Sequence, residues 1–174
     1  MIKKIILVII VLILVGFGGF YAYDKVFAPK TPEQENQTPQ SITYKNDQYG
    51  FELTLPLSWQ GYGVLKTIWR GWKIGNYSAA GDYQGLQINF TNPKAKATPE
   101  QAWQNIPIMV FTPEIWKLVS GPNASVAVSA APIGPAKIGE NSKYVFATPP
   151  RWYGFTDANG WEEALEISKT FKAF

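Results

Sequence analysis

The side chains that could carry acid–base chemistry are Asp82, Glu100, Glu114, Asp157, Glu162, Glu163 and Glu166. Glycoside hydrolysis needs two such carboxylates at a defined separation. Glu100 and Glu114 fall in the first turns of expected helices, where the macrodipole favours negative charge. Glu162, Glu163 and Glu166 fall on the outward part of an expected final helix. Structural roles account for them, so no catalytic pair is expected. The 174 residues include no histidine and no cysteine. That excludes Ser-His and Cys-His catalysis, disulfide scaffolds and ordinary zinc sites. A serine nucleophile would need a lysine base, yet no S-x-x-K occurs: Ser58 leads to Gly61, Ser78 to Gly81 and Ser120 to Asn123. Neither G-x-G-x-x-G nor G-x-x-x-x-G-K-[ST] is present. The chain is read as a non-enzyme with no cofactor.

Asp157-Ala158-Asn159-Gly160-Trp161-Glu162 supplies part of the spacing of a calcium loop, without the first aspartate. A helix cap is the better reading, with calcium the lesser alternative and no metal site assigned. The aromatics are more informative. All seven tryptophans, Trp59, Trp69, Trp72, Trp103, Trp116, Trp152 and Trp161, follow residue 41. Trp59, Trp103, Trp116 and Trp161 stand on expected core faces or element ends. Trp69-Arg70-Gly71-Trp72-Lys73 and Pro150-Arg151-Trp152-Tyr153-Gly154-Phe155 instead mix aromatics, cations and glycine in expected loops. Rigid aromatics beside arginine are common in partner hot spots, and flat rings also stack on sugars. The candidate binding residues are therefore Trp69, Arg70, Trp72, Arg151, Trp152 and Tyr153, with core or loop packing as the competing reading.

Charge is unevenly placed. Residues 1–30 hold Lys3, Lys4, Lys25 and Lys30 against Asp24, a net of +3, which equals the net of the whole chain, so residues 31–174 are neutral. A neutral domain has no polyanion-binding signature, and no nucleic-acid partner is expected. Residues 5–23 are uncharged and rich in Ile, Leu and Val. As a helix they would span roughly 28 Å, close to a hydrocarbon core. Lys3 and Lys4 precede this stretch, which predicts a cytoplasmic N-terminus and an extracytoplasmic body. A cleaved signal peptide is the rival, but its best site, Val26-Phe27-Ala28, is followed by Pro29. An uncleaved single-pass anchor over 1–23 is favoured. Residues 24–41 carry Pro29, Pro32 and Pro39 among Glu, Gln, Asn and Thr, the composition of an extended linker.

The elements that must position the candidates begin near Ile42. Ile42-Thr43-Tyr44 reads as a strand and residues 46–50 as a turn. Phe51, Leu53 and Leu55 alternate with Glu52 and Thr54, as Leu86, Ile88 and Phe90 do with Gln87 and Asn89. Residues 144–148 give another strand, and less regular ones are expected over 64–69, 73–77 and 126–130. Thr98-Pro99-Glu100-Gln101 and Thr112-Pro113-Glu114 predict helix starts with threonine caps and proline at the first position. Gly121-Pro122 should stop the second helix. Asn159-Gly160-Trp161-Glu162 predicts a third start, capped by Asn159, with Trp161, Leu165 and Ser168 on one face. This order implies an α+β fold with a mostly antiparallel sheet flanked by helices.

Tyr44-Lys45-Asn46, Tyr49-Gly50-Phe51-Glu52-Leu53-Thr54-Leu55-Pro56 and Ser58-Trp59 resemble the opening of PsbP-like domains of the Mog-one/PsbP type. Thr170-Phe171-Lys172 after a helix resembles how such domains close. The resemblance implies an α-β-α sandwich over residues 42–174 and a non-enzymatic module that docks to partners; it carries over no binding residue. The expectation is a membrane-anchored extracytoplasmic binding or accessory module for an envelope protein complex. A glycan- or cell-wall-binding module using the exposed aromatics is the alternative.

Overall fold

The alternating stretches become paired strands in the structure, a computed structural model that describes residues 41–76, 81–98, 100–130, 133–154 and 158–174. The expected anchor over 1–23 and residues 24–40 of the expected linker lie outside the described residues, while Ser41, expected to end the linker, is the first residue of a strand. Among the described residues, no helix is long and apolar enough to cross a membrane.

Strands β1 (Ser41–Asn46) and β2 (Phe51–Pro56) form an antiparallel hairpin, joined on β2's far side by β9 (Lys172–Ala173). Asn46 makes the hairpin turn: its Oδ1 accepts from Tyr49 N–H at 3.1 Å, and Gly50 completes the turn at φ 71°. The larger sheet has six strands, β3 (Gly63–Lys73), β4 (Tyr83–Thr91), β5 (Ile106–Phe111), β6 (Val126–Ala127), β7 (Ala136–Glu140) and β8 (Val145–Thr148). Their order is β6-β3-β4-β5-β8-β7, antiparallel throughout. Among the described residues the α-helices are few: α1 (Lys94–Ala97), α2 (Pro113–Val119) and α3 (Trp161–Ser168). The fold is α+β and mostly β, as the order of the sequence signals implies.

Residues directly opposite in an antiparallel pair share a face. One face of the large sheet therefore carries Ile88, Phe90, Ile106, Ile108, Val110 and Phe146, packed with Phe51, Leu53 and Leu55 of β2 and with Ala164 and Ile167 of α3. The other carries Trp69, Met109, Phe111, Val145 and Ala147, packed with Val119 of α2. Every residue of β5 is buried, since that strand contributes to both cores.

The helix ends show what the sequence conveyed locally. Thr112 caps α2 as expected, its side chain accepting from Ile115 N–H. The backbone N–H of Glu114 itself and the Thr112 hydroxyl hold the Glu114 carboxyl below its usual range. The other two caps differ. Thr98 closes α1 rather than opening a helix: its N–H and hydroxyl both donate to Lys94 O, and residues 100–103 are not helical. Pro99 lies outside the described residues. α3 starts as expected, but Gly160, at φ 73°, is its cap residue in place of Asn159. The segments expected over 64–69 and 73–77 are one strand as far as Lys73, with Tyr77 outside the described residues.

After α3 the chain is fixed to β2 by Thr170, whose Oγ1 donates to Thr54 O at 2.8 Å and accepts from Thr54 N–H at 3.0 Å. This holds Phe171 between Phe51 and Phe146, with ring centroids 5.1 Å from each. Gly139 lies beneath that ring, since a Cβ there would sit 2.8 Å from Phe171 Cε1. Phe171→Ala should remove roughly 3–5 kcal/mol of stability. Urea unfolding followed by tryptophan fluorescence checks this; a loss below about 1 kcal/mol would show that the ring is dispensable.

Candidate functional site

The two aromatic clusters have different fates. Trp69-Arg70-Gly71-Trp72-Lys73 is not a loop but the last part of β3. Trp69 is 5% exposed, its Nε1–H donates to Val110 O at 3.0 Å, and its ring packs on Phe111 at 4.7 Å. Gly85, opposite in β4, makes room for it: a Cβ there would meet the indole at 2.5 Å. Trp69 therefore offers no face to a ligand, which corrects its expected placement. Arg70 is exposed and Trp72 half-buried on the same strand.

The second cluster does lie at the surface, between β8 and α3. Arg151 is exposed and holds a left-handed backbone, φ 50°, the one described non-glycine residue with positive φ. Such a conformation costs a residue with a Cβ about 1–3 kcal/mol and is concentrated at functional sites. Trp152 is half-buried against the main core, and its ring meets Tyr153 edge-on at 5.3 Å. Tyr153 is 38% exposed and stacks on Trp161 with ring centroids 6.0 Å apart and planes 14° from parallel. These rings border an open depression of about 620 Å³ also lined by Asn159, Gly160 and Glu162. Phe155 and Asp157 lie outside the described residues.

Hydrogen bonds from the backbone of this corner to Ala102 and Gln104 hold it in place. Gln104 Nε2 donates to Trp152 O at 2.9 Å, Gln104 N–H to Asn159 O at 3.0 Å, and Asn159 N–H to Ala102 O at 2.9 Å. Trp103 lies close to Gly160, donates Nε1–H to Thr98 Oγ1 and carries Lys94 Nζ 5.0 Å from its ring. No family model, curated protein or solved structure matches the chain. The site must be read from its own chemistry.

That chemistry is aromatic and polar. The corner offers two stacked rings, with the amide of Asn159 and the carboxylate of Glu162 on the rim. The structure brings Trp152 and Tyr153 into ring contact, leaves Arg151 exposed before them in the chain and assigns Trp69 to the core. The sequence places Trp161 among the residues on core faces or element ends and outside the candidate binding residues; the structure puts it at an element end, stacked on Tyr153. Its position at the first residue of α3, directly after glycine, is the signal that could have found it, because a first-turn side chain borders the preceding loop. Tyr153→Ala should change stability by no more than about 0.5 kcal/mol, as surface substitutions do. Trp69→Ala should cost roughly 3–5 kcal/mol. Paired denaturation curves check both, and a large loss for Tyr153→Ala would make the stack structural.

Proposed function

We propose that the chain is a membrane-anchored, extracytoplasmic binding module of the PsbP-like type that docks to an envelope protein complex through the corner formed by Arg151, Trp152, Tyr153 and Trp161. The observation that carries this reading is the stacked Tyr153–Trp161 pair, with the strained, exposed Arg151 two residues before Tyr153 in the chain. Aromatic and arginine side chains dominate the energy of protein interfaces. The PsbP-like reading draws support from the roles of the motif residues: Asn46 and Gly50 build the first turn, while Phe51 and Trp59 are buried. It also draws on the way α2 and α3 pack on opposite faces of the large sheet. The anchor reading rests on residues 1–23 of the sequence and on the lysines before the apolar stretch.

A glycan-binding role is the second reading, favoured by one feature: the stacked rings share their depression with Asn159 and Glu162, whose polar groups suit sugar hydroxyls. The variant Arg151→Gly separates function from folding, since glycine adopts positive φ without the Cβ penalty. It should keep or gain stability while losing the partner. A photo-crosslinker at Tyr153 in envelope membranes should give a discrete protein adduct in the parent chain and about tenfold less in Arg151→Gly. Tryptophan quenching by purified cell-wall glycan, with no protein adduct, would replace the docking reading with the glycan one. An adduct that survives Arg151→Gly would remove Arg151 from the site.

A further inference from the structure

β3 presents an open sheet edge built from elements other than the aromatic corner. It pairs with β4 without a register shift from Gly63 to Gly71, and β6 covers its other side only at Trp72 and Lys73. Three contacts fix the direction of its backbone. Gly63 N–H reaches Thr91 Oγ1 at 3.0 Å and Gly71 O accepts from Asp82 N–H at 2.8 Å, both on the β4 side. Ile74 N–H reaches Ser125 O at 2.9 Å on the β6 side. Alternation along the strand then turns the N–H and C=O of Val64, Lys66 and Ile68 away from β4. Among the described residues, no strand pairs with them.

Proteins usually blunt such edges with proline, a bulge or short length. The opposite edge of this sheet, β7, has a register shift between Lys137 and Gly139. From Gly63 to Gly71 β3 has none of these three; what guards it is the charge of Lys66 and Arg70, and Val64, Leu65 and Ile68 are 41%, 56% and 60% exposed. Lys66 lies between Val64 and Ile68 on one face of the strand, with Leu65 on the other. Its Nζ is 3.4 Å from Gln48 Oε1 and 5.8 Å from the centre of the Tyr49 ring. It forms no ion pair among the described residues.

We propose that this edge receives an extended segment of another protein as an added antiparallel strand, with a carboxylate opposite Lys66 and apolar side chains opposite Val64 and Ile68. The recognised pattern is apolar-x-acidic-x-apolar: main-chain bonds supply adhesion and alternate side chains supply selection. Charge argues against a second copy of this chain as the occupant. Any two-fold pairing of the outward groups gathers Lys66 and Arg70 from both copies. Registers that set 66 against 66, or 66 against 70, put like charges directly opposite, which is unfavourable.

The probe is a blocked heptapeptide, Thr-Val-Thr-Glu-Thr-Ile-Thr, added at about 1 mM to the full chain in detergent micelles. Amide hydrogen exchange at Val64, Lys66 and Ile68 should slow by about tenfold or more, while Leu65 and Thr67, which already face β4, stay unchanged. Replacing the peptide's glutamate with lysine should abolish the effect, and Lys66→Glu should reverse the preference. Unchanged exchange at those three amides would overturn the proposal, as would equal protection by both peptides. Protection that grows with protein concentration in the absence of peptide would overturn it in favour of self-pairing.

Discussion

The contact on which the rest depends is the meeting of Phe51, Phe146 and Phe171. Each ring comes from a different part of the chain, β2, β8 and the segment after α3, and each pair of centroids lies 5.1 to 5.3 Å apart. Offset aromatic packing of this kind contributes beyond the area it buries. Its geometric consequence is larger: it joins the small sheet, the large sheet and the C-terminus. Thr170 brings Phe171 into position through both bonds to Thr54, and Gly139 leaves space beneath the ring. Asn141 seals the same end. Its Nδ2 donates to Tyr49 O and Gly50 O, while its Oδ1 accepts from the N–H groups of Lys143 and Tyr144. One amide thus ties the β1–β2 turn to the β7–β8 turn.

With that end fixed, β5 determines how the other layers lie. Its side chains alternate between the two cores, with Ile106, Ile108 and Val110 toward β2 and α3, and Met109 and Phe111 toward α2. A strand buried on both faces must have its neighbours in register, and β4 and β8 pair with it on either side. The aromatic corner follows from this placement. The segment before β5, residues 102–105, emerges beside the β8–α3 connection and bonds to it at Trp152 and Asn159.

Much of this was legible in the sequence, and what was missed has definite physical causes. β1, β2 and β4 were clear because one face is more buried than the other, so polarity alternates along them. β5 was missed: Ile-Pro-Ile-Met-Val-Phe has no alternation, because both faces are buried, and Pro107 argues against a central strand. β8 pairs with β5 only from Met109 onward, so Pro107 stands where β5 has one neighbour rather than two. β9, at two residues, is too short for a period to show. The helix expected at Thr98 had the right cap residues, yet the same threonine served to end α1 and to accept the indole N–H of Trp103. Of the two aromatic clusters, composition could not tell a loop from a strand end. Trp69 was decided by Gly85, which lies 16 positions later and opposes it only through the β3–β4 register.

The same comparison separates packing from recognition among the tryptophans. Trp69 satisfies its nitrogen inside the sheet and fills a space that a glycine leaves open, so its surroundings account for it fully. Tyr153 and Trp161 have no comparable enclosure: one is 38% exposed, the other half-buried, and each ring takes the other as a stacking partner. The loop that carries them is held by backbone carbonyls and amides, at Trp152 O, Asn159 O and Asn159 N–H. Side chains at this corner can therefore change without releasing the backbone. Where the backbone is secured independently of the side chains it displays, surface chemistry can vary at small cost to stability. Arg151 is the exception, because its backbone conformation is strained by its own Cβ. The fold gains nothing from that strain that glycine would not supply, so stability alone does not account for an arginine at this position.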